Sequence, residues 1–183
     1  MDGVAAKPWA AAEAAGWPAM PPVKVYVVYL GTDGAWPKPE FDAPREIRER
    51  FEPHLAKVAE RLGDIQFTGG KLIPNQAEAA EGIVADIDAS GADAILVVHL
   101  SFGDARPFAV FAGTGRPVAI FSQPFSGHDW MYVPRLQQKG MRLIMAPSRN
   151  LEEIDRLVAL LRVPVRMKQS KMILVGNPGC AAG

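Results

Sequence analysis

The chain has 183 residues, with 49% hydrophobic and 22% charged side chains, and its 20 basic and 20 acidic residues give a formal net charge of +0. That apolar content over the length of one ordinary domain can bury a sizeable core and excludes a disordered chain. The charge balance leaves no net field for nucleic acid or an acidic membrane surface, and the single cysteine, Cys180, excludes an intramolecular disulfide framework.

No apolar run approaches the ~20 residues of a membrane span. The N-terminus, interrupted by Pro8, Glu13, Gly16 and Pro18, lacks the apolar core of a signal peptide. The compartment expected from these features and the lone cysteine is the cytoplasm, with no membrane and no nucleic-acid partner.

Met1 to Pro22 is rich in Ala and Pro and reads as an irregular arm, whose Trp9 and Trp17 could dock on the parent domain or a neighbouring subunit. Val23 to Leu30, VKVYVVYL, is the first strand, and Gly31 to Pro37 is its loop. Asp42 with Pro44 opens a helix in which Ile47, Phe51, Leu55, Val58 and Leu62 keep a helical phase, and Pro53 predicts a kink inside it. Ile65 to Leu72 is a second strand. Asn75 and Glu78 have capping-box spacing for a helix with Ala80, Ile83, Val84 and Ile87 on its apolar face.

After Ser90-Gly91 come the strand at Ile95 to Val98, a short helix near Ala105 to Ala112 and the strand at Val118 to Phe121. Both strands are continuous apolar runs without alternation, as expected where both faces of a parallel sheet are covered. Ser126 and Asp129 have capping-box spacing for a short helix that Pro134 limits. Met141 to Ala146 is a fifth strand, and Asn150 with Glu153 caps a helix carrying Leu151, Ile154, Leu157, Val158 and Leu161. The alternation defines an α/β fold: a doubly wound, mostly parallel five-stranded sheet with helices on both faces, flavodoxin-like or Rossmann-like.

The expected organisation is an arm over 1–22, a substrate-recognition domain over 23–165, and a basic connector with an extra strand over 166–183. The strand, beginning at Lys171-Met172-Ile173-Leu174-Val175-Gly176, either closes an edge of the first sheet or opens a second α/β domain. The glycine-rich Asn177 to Gly183 behind it favours the second reading, and with it the expectation that the chain is part of a longer product.

Ligands of open α/β sheets bind beyond the carboxyl ends of the strands. Two polar-aromatic loops start there, His99-Leu100-Ser101-Phe102 and Ser122-Gln123-Pro124-Phe125. His99 could donate to a ligand hydroxyl or simply bond a neighbouring loop. Ser126-Gly127-His128-Asp129-Trp130 brings a hydroxyl, an imidazole, a carboxylate and a large ring to one strand-to-helix turn. Such groups suit a sugar, whose hydroxyls need hydrogen bonds and whose C–H surface suits an aromatic face. The alternative is a plain helix start, with Ser126 and Asp129 capping and Trp130 in the core.

Thr32, Asp33 and Trp36 in the first loop could contact the same ligand. The substrate-binding candidates are thus Thr32, Asp33, Trp36, His99, Ser101, Phe102, Gln123, His128, Asp129 and Trp130. No phosphate-cradle motif, nucleophile elbow, glycosidase carboxylate pair or metal-ligand spacing can be placed, so no residue is assigned a catalytic or metal-binding role. Cys180, with no base beside it, reads as incidental.

The stretch VVHLSFGDARPFAVFAGTGRPVAIFSQPFSGHDWMYVPRL resembles the N-terminal domain of the L-fucose and L-arabinose isomerase superfamily in the order and spacing of its strands and loops. The resemblance runs from about Val23 to Gly176, although individual residues in both loops depart from the arabinose isomerase pattern. It implies a manganese-dependent aldose-ketose isomerase whose metal ligands lie outside this chain. It also implies a homo-oligomer in which the loops at Thr32, His99 and Gln123 help cover a neighbouring subunit's active site. Two functions are expected from this: the recognition domain of a sugar isomerase, inactive alone, or a stand-alone polyol-binding or assembly module of the same fold.

Overall fold

Five apolar runs become the five strands of one sheet: β1 (Val23–Leu30), β2 (Ile65–Ile73), β3 (Ala94–His99), β4 (Val118–Ser122) and β5 (Leu143–Pro147). Their spatial order is β2-β1-β3-β4-β5 and every neighbouring pair is parallel. This is the flavodoxin-like arrangement, whose order reverses between β1 and β3. The structure, a computed structural model, describes residues 20–32 and 41–171. The arm through residue 19, Asp33, Trp36, Cys180 and the extra strand expected after Lys171 lie outside the described residues.

The helices are α1 (Ala43–Glu46) and α2 (Glu52–Leu62), joined by a π-helical stretch (Ile47–Phe51), then α3 (Ala77–Glu81), α4 (Val84–Ala89), α5 (Arg106–Gly113), α6 (Asp129–Gln138) and α7 (Glu152–Gln169). Strand side chains alternate between two cores, as a period of two demands. Val23, Val25, Val27 and Tyr29 pack with Ile47, Phe51 and Leu55 and with Ile154, Leu157 and Leu161 of α7. Tyr26, Val28 and Leu30 pack instead with Ile83, Ile87, Phe108, Phe111 and Val133. Thus α1, α2 and α7 cover one face, and α3 to α6 cover the other. No helix among the described residues is long and apolar enough to cross a membrane.

The kink expected at Pro53 takes a specific form. Glu52 donates its N–H to the Ile47 carbonyl, one residue further back than in an α-helix. A widened turn just before Pro53 accommodates a residue with no N–H and a ring that crowds the preceding turn.

Three local expectations are corrected. Asn75 and Glu78 form no capping box: Gln76 is the N-cap of α3, without a side-chain cap bond, and the helix pattern breaks at Gly82 before α4. Ser126 does not cap α6 either, whose N-cap is His128, because its hydroxyl is spent on Gln123 and Asp129. Finally, the basic stretch expected as a connector is helical through Gln169, so Arg166 and Lys168 belong to the last turn of α7 despite Pro164. Asn150 does serve the start of α7, accepting the Glu152 N–H at 3.1 Å.

Candidate functional site

His99 ends β3 and Ser122 ends β4, and the two are opposite one another in the parallel register. Alternation turns both side chains toward the face covered by α3 to α6, where Asp129 enters from the first turn of α6. The three meet in a buried network. His99 Nδ1 lies 2.6 Å from Asp129 Oδ2, and the Ser122 hydroxyl donates to the same oxygen at 2.6 Å. Ser126 Oγ is 2.8 Å from Ser122 Oγ, 3.2 Å from Asp129 Oδ2 and donates to the Gln123 carbonyl at 2.6 Å. The Phe108 ring stands edge-on to the imidazole at 5.5 Å between centroids.

An ionised carboxylate can only accept, so this contact places a proton on His99 Nδ1. His99 Nε2 and Asp129 Oδ1 are both buried without a partner, as are Asn75 Oδ1 and Gln123 Nε2 on neighbouring loops.

Those loops are locked together. Asn75, just past β2, donates through its amide to the Ser101 carbonyl at 3.0 Å, and Ser101 Oγ accepts the Thr32 N–H at 3.0 Å. The loops after β1, β2 and β3 are thereby joined across the point where the strand order reverses. Gly103 donates its N–H to the Ser126 carbonyl at 3.2 Å, linking the β3 and β4 loops. A Cβ at Gly103 would stand 2.2 Å from Asn75, so only glycine fits there. Gly127 faces the Gly103 carbonyl at a looser distance, where a Cβ would lie 3.2 Å from that oxygen, and its φ of 127° is the stronger reason for glycine there.

Above this packed floor, Phe102, Pro124, Phe125, Gly127 and His128 line a shallow cleft of about 160 Å³. The Arg149 guanidinium covers the Phe125 ring at 4.6 Å. Arg50, carried by the π-helical stretch, reaches the same edge, donating to the Arg149 carbonyl at 2.8 Å and to Gln123 Oε1 at 3.4 Å. Asp104, in the β3 loop, accepts the Arg106 N–H at 2.8 Å at the start of α5. Burial disfavours its charge, but the Arg106 backbone and guanidinium outweigh this and hold the carboxyl below its usual range.

The candidate residues therefore divide into two layers. His99, Ser101 and Asp129 are buried and fix the loops, whereas Thr32, Phe102, His128 and Trp130 are exposed at the rim, with Gln123 between them. Asp129 does not point outward as a free ligand group, and Trp130, 62% exposed, is not a core residue. Asn75 and Ser122 are not among the binding candidates, and Ser126, the hydroxyl of the turn read as suited to a sugar, is fully buried. Two of them carried a local capping signal, while the pairing of Ser122 with His99 depends on sheet register.

Among the described residues, no three His, Cys, Asp or Glu side chains converge to hold a metal ion. The buried network offers one carboxylate and one imidazole already bonded to each other, which does not fit the oxygen-rich donor set of manganese. A buried His–Asp pair supported by two hydroxyls can order a loop and hold a proton, and the aromatic rim above it can stack on an apolar ligand surface. No protein-family model matches the chain, and comparison with curated proteins found no match.

Proposed function

We propose that this chain is the N-terminal, substrate-recognising domain of an aldose-ketose isomerase of the L-fucose and L-arabinose isomerase type, holding its sugar at the rim of the β3 and β4 loops. The supporting observation is the stacking of two layers at one sheet edge. Buried polar atoms without partners on Asn75, His99, Gln123 and Asp129 lie in or next to the loops after β2, β3 and β4, and Phe102, Phe125 and His128 from the latter two loops line the cleft, with Trp130 exposed at the start of α6. Unsatisfied buried polar atoms are rare in folded proteins, and a ligand or ordered water is one common reason for them. Sugar hydroxyls both donate and accept, and their C–H faces suit aromatic rings.

In this reading the buried network sets the loop geometry, and His128, Trp130, Phe102 and Gln123 meet the sugar. The remainder follows the resemblance: a cytoplasmic homo-oligomer, with manganese and its ligands supplied by residues outside this chain. No step of the isomerisation falls to the residues described here. The second reading, a stand-alone polyol-binding module, is favoured by the exposed recognition groups, which include no paired general acid and base.

An isomerase assay on the natural gene product, with and without manganese, separates the two readings. The recognition-domain reading expects metal-dependent activity on an aldose. It further expects His128→Ala or Trp130→Ala to raise KM about tenfold with kcat little changed, the signature of lost uniform binding. A gene product without isomerase activity in either condition, or unchanged kinetics in both variants, overturns it.

A further inference from the structure

The loop after β5 brings a positive charge to the wall of the cleft. The exposed Arg149 guanidinium lies over the Phe125 ring, 4.6 Å from its centroid, and Phe125 lines the cleft together with Phe102, Pro124, Gly127 and His128. Among the described residues no carboxylate stands within ion-pair distance of Arg149. Stacking on a ring leaves the N–H groups at the guanidinium edge free, and their fork matches a carboxylate or a phosphate.

Arg50 holds the two sides of this arrangement together. Its Nη2 donates to the Arg149 carbonyl at 2.8 Å and its Nη1 to Gln123 Oε1 at 3.4 Å. With the amide oxygen facing a guanidinium, the Gln123 amide is fixed with Nε2 as its remaining group, a buried donor without a partner. Gln123 stands two residues before Phe125, whose ring Arg149 covers.

The carboxylates of the neighbouring segments are already engaged. Asp129 is bonded by His99, Glu46 by Arg50 and Asp104 by Arg106. Glu152 accepts from the Asn150 amide at 3.2 Å, and Glu153 faces Arg156 at 3.9 Å. No acid is among the residues that line the cleft. A cation without a counter-charge and a donor without an acceptor, beside a cleft free of acids, match an anion; a neutral hydroxyl leaves the charge unanswered.

We propose that Arg149 and the Gln123 amide form an anion subsite, so that the sugar bound at the cleft carries a carboxylate or a phosphate, with Arg50 positioning both donors. This inference rests on the reading of the cleft as a sugar site and names the class of sugar it takes.

Amide chemical-shift titrations at constant ionic strength test it on the full chain, and the same spectra report whether each variant is folded. The ligands are an aldopentose, its phosphate ester, the corresponding aldonate, and inorganic phosphate. At least one of the two anionic derivatives should bind about tenfold more tightly than the parent aldose, the scale of a charge-assisted hydrogen bond. Which derivative it is separates a phosphate from a carboxylate. Arg149→Ala should abolish that preference and Arg149→Lys keep only part of it, because an ammonium cannot supply the fork. Arg50→Ala should also narrow the preference, whereas a purely structural Arg50 would weaken every ligand alike. A parent aldose that binds as tightly as both derivatives, or a preference that survives Arg149→Ala, overturns the anion subsite and leaves sugar recognition standing. Shifts at residues 123–128 and 149 from inorganic phosphate, with none from any sugar, support the subsite and overturn the sugar reading. No shift from any of the four ligands overturns both.

Discussion

Asp129 is the residue on which the loop architecture converges. One of its oxygens takes contacts from His99, Ser122 and Ser126, three groups from three points of the chain, with almost no exposure to solvent. Removing it strands an imidazole and two hydroxyls in a dry site, so Asp129→Ala should cost about 3 kcal/mol, in the range for breaking a buried polar pair. Urea denaturation read by circular dichroism measures this. The exposed His128→Ala variant, one position away, should change stability by less than about 0.5 kcal/mol. A similar small loss in both would mean that the network does not hold the loop. The same residue marks a limit of local pattern reading. Ser126 and Asp129 are spaced as a capping box, yet the side chain turns inward because α6 delivers it over the ends of β3 and β4. Spacing along a chain carries no information about a partner such as His99, 30 residues away.

The elements were largely legible because their physics is local. Each of the strands starts and ends within about two residues of its apolar run, and the Leu, Val and Ile phase of α7 declared its buried face. What escaped was decided by contacts between elements. Pro53 predicts a kink, but a π-helical turn absorbs it, and Arg50 within that turn is thereby brought to the carboxyl edge of the sheet. The basic end of α7 reads as a linker until Asp64 is placed beside it. Arg162 Nε lies 2.7 Å from Asp64 Oδ2 and Arg166 Nε 3.1 Å from the same oxygen, pinning the end of the helix to the turn before β2.

This clamp has a pH signature. Burial raises the cost of ionising Asp64, but its hydrogen bonds and charge interactions with Arg166 and Arg162 prevail and hold its carboxyl below the ordinary value of 3.8. A group depressed in the folded state stabilises above its unfolded value, and that contribution is lost as pH falls through the folded value. Wild-type stability should therefore decline into acid more steeply than that of Asp64→Asn, and the two curves should converge at the lowest pH. Thermal melts across this range check it; parallel curves would contradict the assignment.

At the scale of the whole molecule, an all-parallel sheet gathers the loops after β1, β2, β3 and β4 at one end, and the reversal of strand order between β1 and β3 opens a crevice among them. That placement, more than any motif, makes the edge a site: Thr32, Asn75, Ser101, Gly103 and Ser126 are distant in sequence and bonded or packed together in space. The sheet and its helices followed from periodicity, whereas the division of the candidates into a buried support layer and an exposed aromatic rim did not. It depends on which face each strand end presents.

The most direct test of sugar recognition is an amide chemical-shift titration of the folded chain with a panel of aldopentoses and deoxyhexoses. The account predicts saturable shifts for at least one sugar, concentrated at residues 101–103 and 123–130 and weakened by Trp130→Ala. Shifts for no sugar, or shifts confined to the α7 and β5 surface, would contradict it.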